Sequence, residues 1–139
     1  MKRIATLLLT LLLVGTCAIA ADTPINKKQL PKQAQLFICD YWPNVEITEA
    51  ERDNGLFKVI MEDGTILRFD RKGDWRAITN PFGFPTHYLP DGIGAFIHAQ
   101  YPSSYIARVI HNGNGYIVFL NSGLELRYDE DGNIQQVVD

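Results

Sequence analysis

Hydrophobic residues along this chain recur at two alternating periods. Leu30, Ala34, Phe37, Ile38 and Tyr41 fall on one face of a 3.6-residue repeat, with Lys32, Gln33 and Gln35 outward. Pro31 suits the first helical position, where a missing N–H is no loss. Pro43 disfavours helical geometry at Trp42, so the spacing predicts a helix that stops there. The period then drops to two. Val45 and Ile47, then Phe57, Val59 and Met61, then Leu67 and Phe69 read as three strands with a common buried face, and a short fourth strand follows around Trp75–Ile78. Asp53-Asn54-Gly55, Glu62-Asp63-Gly64 and Asp70-Arg71-Lys72-Gly73 supply the positive φ that tight hairpins demand.

The same order returns 59 residues later. Ile93, Phe96 and Ile97 mark a second helix ending before Pro102, although Gly92 and Gly94 each weaken it by about 1 kcal/mol relative to Ala. Packing therefore has to hold it. Ile106 and Ile110, then Tyr116, Val118 and Leu120, then Leu124, Leu126 and Tyr128 give three more strands, with a fourth over Ile134–Val138. Residues 30–78 and 89–137 align without a gap and share twelve identities, among them Pro31/Pro90, Pro43/Pro102, Arg68/Arg127, Asp70/Asp129 and Gly73/Gly132. Average composition would give about three by chance. The chain reads as α+β, a tandem repeat of a helix plus a four-stranded antiparallel meander. Its divisions are a signal peptide over 1–20, an N-terminal segment over 21–29, repeat one over 30–78, a linker over 79–88 and repeat two over 89–139.

One helix per unit covers only one face of its sheet. Strict alternation assigns Thr48, Arg52, Leu56, Lys58, Ile60, Ile66 and Arg68 to the other face, with Tyr105, Val109, His111, Ile117, Phe119, Glu125 and Arg127 from the second unit. A solvated antiparallel face should alternate to polar. This one mixes apolar and aromatic residues with cations, a composition enriched at protein–protein interfaces. The candidate partner-binding residues are Lys58, Ile60, Arg68, Tyr105, His111, Ile117, Phe119 and Arg127. The plain alternatives are that β-propensity alone places Ile, Val and Tyr there, or that linker and N-terminal residues cover them.

The first twenty residues change the cellular picture. Lys2 and Arg3 precede an apolar run over Ile4–Val14, and Ala18-Ile19-Ala20 offers a small-residue cleavage site, the pattern of a secretory signal peptide cut after Ala20. The run is too short for a membrane span, which needs about 20 residues. Lipidation at Cys17 is the alternative, although Thr16 departs from the small residue usual before a lipidated Cys. Loss of Lys2 and Arg3 takes the formal charge from −3 to −5. An acidic chain without a Lys/Arg cluster lacks the footprint for nucleic acid or anionic lipid. Cys39 is then the one remaining cysteine, so no intramolecular disulfide is available.

Candidate chemistry is sparse. His87, His98 and His111 are scattered, without the short local spacings of a zinc site. Asp129-Glu130-Asp131-Gly132-Asn133 misses the EF-hand pattern, because Gly comes fourth rather than sixth, and reads as a hairpin turn. Arg68 and Asp70, like Arg127 and Asp129, lie two apart on one strand face and could pair across strands. No nucleophile elbow or phosphate loop appears. The expectation is no catalytic residue, no cofactor and no metal.

Leu30-Pro31, Trp42-Pro43, Asp63-Gly64 and Leu67-Arg68-Phe69-Asp70-Arg71-Lys72-Gly73-Asp74-Trp75, with their second copies, resemble the PepSY-like, beta-lactamase-inhibitor-like family of exported bacterial proteins. The resemblance implies two units side by side in one curved antiparallel sheet, helices on its convex face, in the periplasm. In the inhibitor that lends the family its name, the concave sheet face clamps an enzyme. The expected function is a non-catalytic periplasmic or secreted binding module for an unidentified protein, such as an enzyme it inhibits, with the chain a monomer or weak dimer. The alternative is a structural or envelope-stress protein that self-associates.

Overall fold

The computed structural model describes residues 23–139. The expected signal peptide, with its alternatives at Ala20 and Cys17, lies outside the described residues. Strand β1 (Thr23–Pro24) and a 3₁₀ turn over Lys27–Gln29 lead into α1 (Lys32–Tyr41), then β2 (Ile47–Asp53), β3 (Leu56–Met61), β4 (Ile66–Phe69) and β5 (Trp75–Thr79). Helix α2 (Asp91–Gln100) precedes β6 (Ile106–His111), β7 (Gly115–Leu120), β8 (Glu125–Asp129) and β9 (Ile134–Val138). All nine strands form one antiparallel sheet in chain order. The fold is thus α+β with an open sheet, and β1 adds an edge strand to the eight that alternation predicts.

Both helices begin one residue later than expected. Pro31 and Pro90 have φ of −53° and −54° but extended ψ of 144° and 140°, so each is the residue before the first helical one. Proline's fixed φ suits that boundary as well as the first turn. Each helix ends on the residue before Trp42 or Tyr101, whose amide donates back to the carbonyl of Ile38 or Ile97.

The core lies on one sheet face, where both helices pack into a single cluster. Ala50, Val59, Leu67, Ile78, Val109, Val118 and Leu126 form an unbroken cross-strand row through β2 to β8, all buried. Each such side chain contributes about 1.5–3 kcal/mol on burial, Ala less. Ala34 and Ile38 of α1 and Ile93 and Ile97 of α2 cover this row. Aromatic contacts lock the helices down: Phe37 meets Phe69 edge-on at 5.9 Å, and Phe96 meets Tyr128 edge-on at 6.1 Å.

Four register shifts interrupt the sheet, those opposite Arg68/Phe69 and Arg127/Tyr128 falling in the pairing with β5 and β9, and the two in β2 and β6 move side chains of the expected open face. In β2 the pairing with β3 slips between Ile47 and Glu49, and in β6 the pairing with β7 slips between Ile106 and Arg108. An extra residue of this kind inverts the parity of everything beyond it. Strict alternation therefore misplaces the ends of both strands. Val109 is fully buried in the core, opposite Val118, while Ile110 takes the open face opposite Ile117. Arg52 pairs with Phe57 on the core face and holds its guanidinium 5.4 Å from that ring.

Candidate functional site

Two rows running across the sheet make up the middle of the open face, with the pairs Asp53/Leu56 and Gly115/Asp129 beyond them. One pairs Glu51, Lys58, Arg68, Ala77, Ile110, Ile117, Arg127 and Gln136 in succession. The other pairs Glu49, Ile60, Ile66, Thr79, Arg108, Phe119, Glu125 and Val138. Ile60, Ile66, Ile110, Ile117 and Phe119 make an apolar middle, each half-buried. Long cationic stems account for part of that cover, since Lys and Arg lay methylenes along apolar surface. The Arg108 guanidinium sits 5.8 Å from the Phe119 ring. The Arg127 Nε donates to the Glu125 carboxylate at 2.5 Å.

Of the residues expected on this face, Lys58, Ile60, Arg68, Ile117, Phe119 and Arg127 lie on it together. His111 does not. The shift in β6 turns it to the core face, where its ring stacks on Tyr116 at 4.5 Å and lies 5.1 Å from Trp75. Its Nε2 is 3.0 Å from a Glu130 carboxylate oxygen. Burial, and then the nearby Glu130 charge, holds the Tyr116 phenol neutral to higher pH than usual. Tyr105 precedes β6 at the sheet's end. Its hydroxyl donates to the Pro81 carbonyl at 2.8 Å, and its ring lines a cleft with Gly83, Phe84 and Ile97. Arg108, Ile110, Glu49 and Glu51 belong to the face but escape strict alternation. Their signal was the odd spacing of Ile47 to Ala50 and Ile106 to Val109, which one strand face cannot accommodate without an extra residue.

The repeated aspartates serve the turns rather than the neighbouring arginines. Asp70 Oδ1 accepts from the amides of Lys72 and Asp74, and its Oδ2 accepts from Arg76 at 3.0 Å. Partial burial pushes the Asp70 pKa up, but these bonds outweigh it and hold the carboxyl below its ordinary value. Asp129 Oδ1 accepts from the Asp131 and Asn133 amides, while Oδ2 takes the Asn133 and Gln135 side chains. The turn that resembles a calcium loop is thus closed by its own amides. Among the described residues no group of three or more His, Cys, Asp or Glu side chains is placed to hold a metal. Among them, too, no helix is long and apolar enough to cross a membrane. Cys39 is exposed on α1.

Neither β1 nor the 3₁₀ turn lies over the open face. Thr23 and Pro24 pair with Arg52 and Glu51 at the sheet edge, and Ile25 packs against the core. The segment after β5 turns the other way: Tyr88 packs against Phe37, Tyr41 and Trp75 of the core face. Burial, with Tyr41 nearby, raises the Tyr88 phenol well above its usual pKa.

A family model described as "Putative beta-lactamase-inhibitor-like, PepSY-like" matches residues 55–136. Crystal structures of similar shape come from Bacteroides. A "putative periplasmic protein" of the DUF2874 family from Bacteroides vulgatus is 27% identical, covering 88% of this chain and 100% of its own at a TM-score of 0.79. A "putative calcium-regulated periplasmic protein" from Bacteroides thetaiotaomicron is 24% identical, covering 85% of this chain and 97% of its own at a TM-score of 0.80. No curated protein matches.

Proposed function

The chain belongs to the PepSY-like, beta-lactamase-inhibitor-like family, and we propose on that ground that it is a non-catalytic periplasmic binding module. Its docking surface is the open sheet face, and its partner is a protein. The observation that carries this reading is the apolar middle formed by Ile60, Ile66, Ile110, Ile117 and Phe119, framed by Lys58, Arg68, Arg108 and Arg127. Aromatic and Arg side chains around an apolar centre are the make-up of binding hot spots. Periplasmic location is supported by the periplasmic relative of 27% identity. A sheet built from two copies of one helix-plus-four-strand module is supported by the twelve identities at an offset of 59 and by strand irregularities at 47/49 and 106/108.

The test is capture of partners from a periplasmic extract by the wild-type chain and by an Ile117→Glu/Phe119→Ser variant, with Leu36→Glu on the exposed side of α1 as control. Circular dichroism establishes that each variant is folded. The expected outcome is loss of the same partner from the open-face variant and retention by the control. Equal recovery by all three proteins overturns the reading.

A further inference from the structure

Arg68 and Arg127 occupy matching positions, one on β4 and one on β8, and they differ in their neighbours. Two residues before Arg127 on the same strand face stands Glu125, whose carboxylate accepts from the Arg127 Nε at 2.5 Å. Two residues before Arg68 stands Ile66, which can accept nothing. Among the described residues Arg68 makes neither an ion pair nor a hydrogen bond, and its side chain is exposed. Directly opposite it on β3 is Lys58, a second cation, where β7 places Ile117 opposite Arg127. Like charges directly opposite each other across two strands destabilise a sheet. Lys58 has Glu51 opposite it on its other side, so Arg68, between Lys58 and Ala77, is the cation of this pair with no carboxylate directly across from it.

We propose that Arg68, with Lys58 beside it, is the anchor for a carboxylate of the protein partner, which docks through an acidic segment. This rests on the open face being the docking surface. The Arg127–Glu125 pair shows within the same molecule what this position accepts: a carboxylate oxygen approaching Nε along the strand. An arginine fork suits an incoming Asp or Glu because it offers parallel donors in a plane. Charge complementarity points the same way. The complementarity is local: to these rows β3 and β4 contribute Lys58 and Arg68 side by side and no carboxylate, whereas Glu49 and Glu51 lie on β2 and Glu125 on β8. Arg127 is already neutralised, Arg108 lies along Phe119 and Lys58 faces Glu51, so Arg68 is the cation left to a partner, with Lys58 beside it. Ile60 and Ile66 beside them offer the apolar contact that would flank the anchored acid.

The experiment uses two probes, a capped peptide of alternating Glu and Val and the same peptide with Lys in place of Glu. Titration is followed through the Arg Nε–Hε and backbone amide resonances of the ¹⁵N-labelled protein. With the Glu peptide, the Arg68 Nε–Hε resonance moves together with open-face amides, while Arg127 stays in place. Ile66→Glu installs in β4 the carboxylate that β8 already has. It abolishes the Arg68 response and weakens Glu-peptide binding by about tenfold. Glu125→Gln does the reverse and brings the Arg127 resonance into the response. Ile66→Glu gives up a half-buried apolar side chain, so an unchanged far-ultraviolet circular dichroism spectrum at the titration temperature separates blocked binding from unfolding. A silent Arg68 resonance overturns the acidic partner, as does equal Glu-peptide binding by wild type and Ile66→Glu. If the Lys peptide moves the open-face amides while Arg68 stays silent, the acidic partner falls and docking on this face stands. If neither peptide moves them, the acidic partner also falls, and partner capture with Ile117→Glu/Phe119→Ser decides separately on the face.

Discussion

Two glycines one turn into α2 illustrate what a residue's type conveys and what its surroundings add. Gly92 and Gly94 carry the same intrinsic penalty in a helix. A Cβ on Gly94 would meet nothing within 4 Å, whereas a Cβ on Gly92 would lie 2.6 Å from the Gly132 carbonyl oxygen. Gly132 itself has φ of +87° and presses its turn against Pro90 and Ile93. Gly92 is therefore where a β-turn backbone touches the start of the helix. In urea unfolding, Gly94→Ala should stabilise the protein by about 0.5–1 kcal/mol. Gly92→Ala should destabilise it by about 1–3 kcal/mol, because the backbone must shift to admit the methyl. The helix-weakening effect of both glycines is legible from composition. Their opposite responses are not, since the Gly132 carbonyl is 40 residues away in the chain.

At the scale of the strand, alternation is a strong guide until a residue is inserted. The turns, the helix ends and the faces of β3, β4, β7 and β8 follow from period and turn chemistry alone. In β6 the irregularity between Ile106 and Arg108 exchanges Val109 and Ile110 between faces. That exchange has a direct test. Val109→Asp places a carboxylate without a partner in the core and should cost more than about 4 kcal/mol, leaving little or no folded protein in thermal circular dichroism. Ile110→Asp lies on the open face and should cost about 1 kcal/mol. Strict alternation anticipates the opposite order. The same shift removes His111 from the open face and adds Arg108 to it, so part of the candidate site was illegible for a reason local to one strand.

For the whole molecule, the decisive contact is between β5 and β6. Ile78 pairs with Val109 and joins Leu67 on one side to Val118 on the other, all four fully buried. One continuous row has no weak seam at which one half could melt alone. Unfolding should therefore be a single transition, with near- and far-ultraviolet circular dichroism coincident. Ile78→Ala should lower the stability of that one transition by about 2–5 kcal/mol rather than divide it. Two separated steps would show the halves to be independent.

By itself the sequence determined the order of helices and strands, the positions of the turns and the residues that mark the family. All of these depend on short-range period and on the backbone freedom of Gly and Pro, which act within a few residues. Only the tertiary structure decided which side chains meet on the open face. That choice depends on parity beyond an inserted residue and on the strand that happens to lie opposite. It left Arg68 facing Lys58 without a carboxylate, while Arg127 on β8 has its own Glu125. The difference between those two arginines lies in the side chains around them, and it is the basis of the proposed carboxylate anchor.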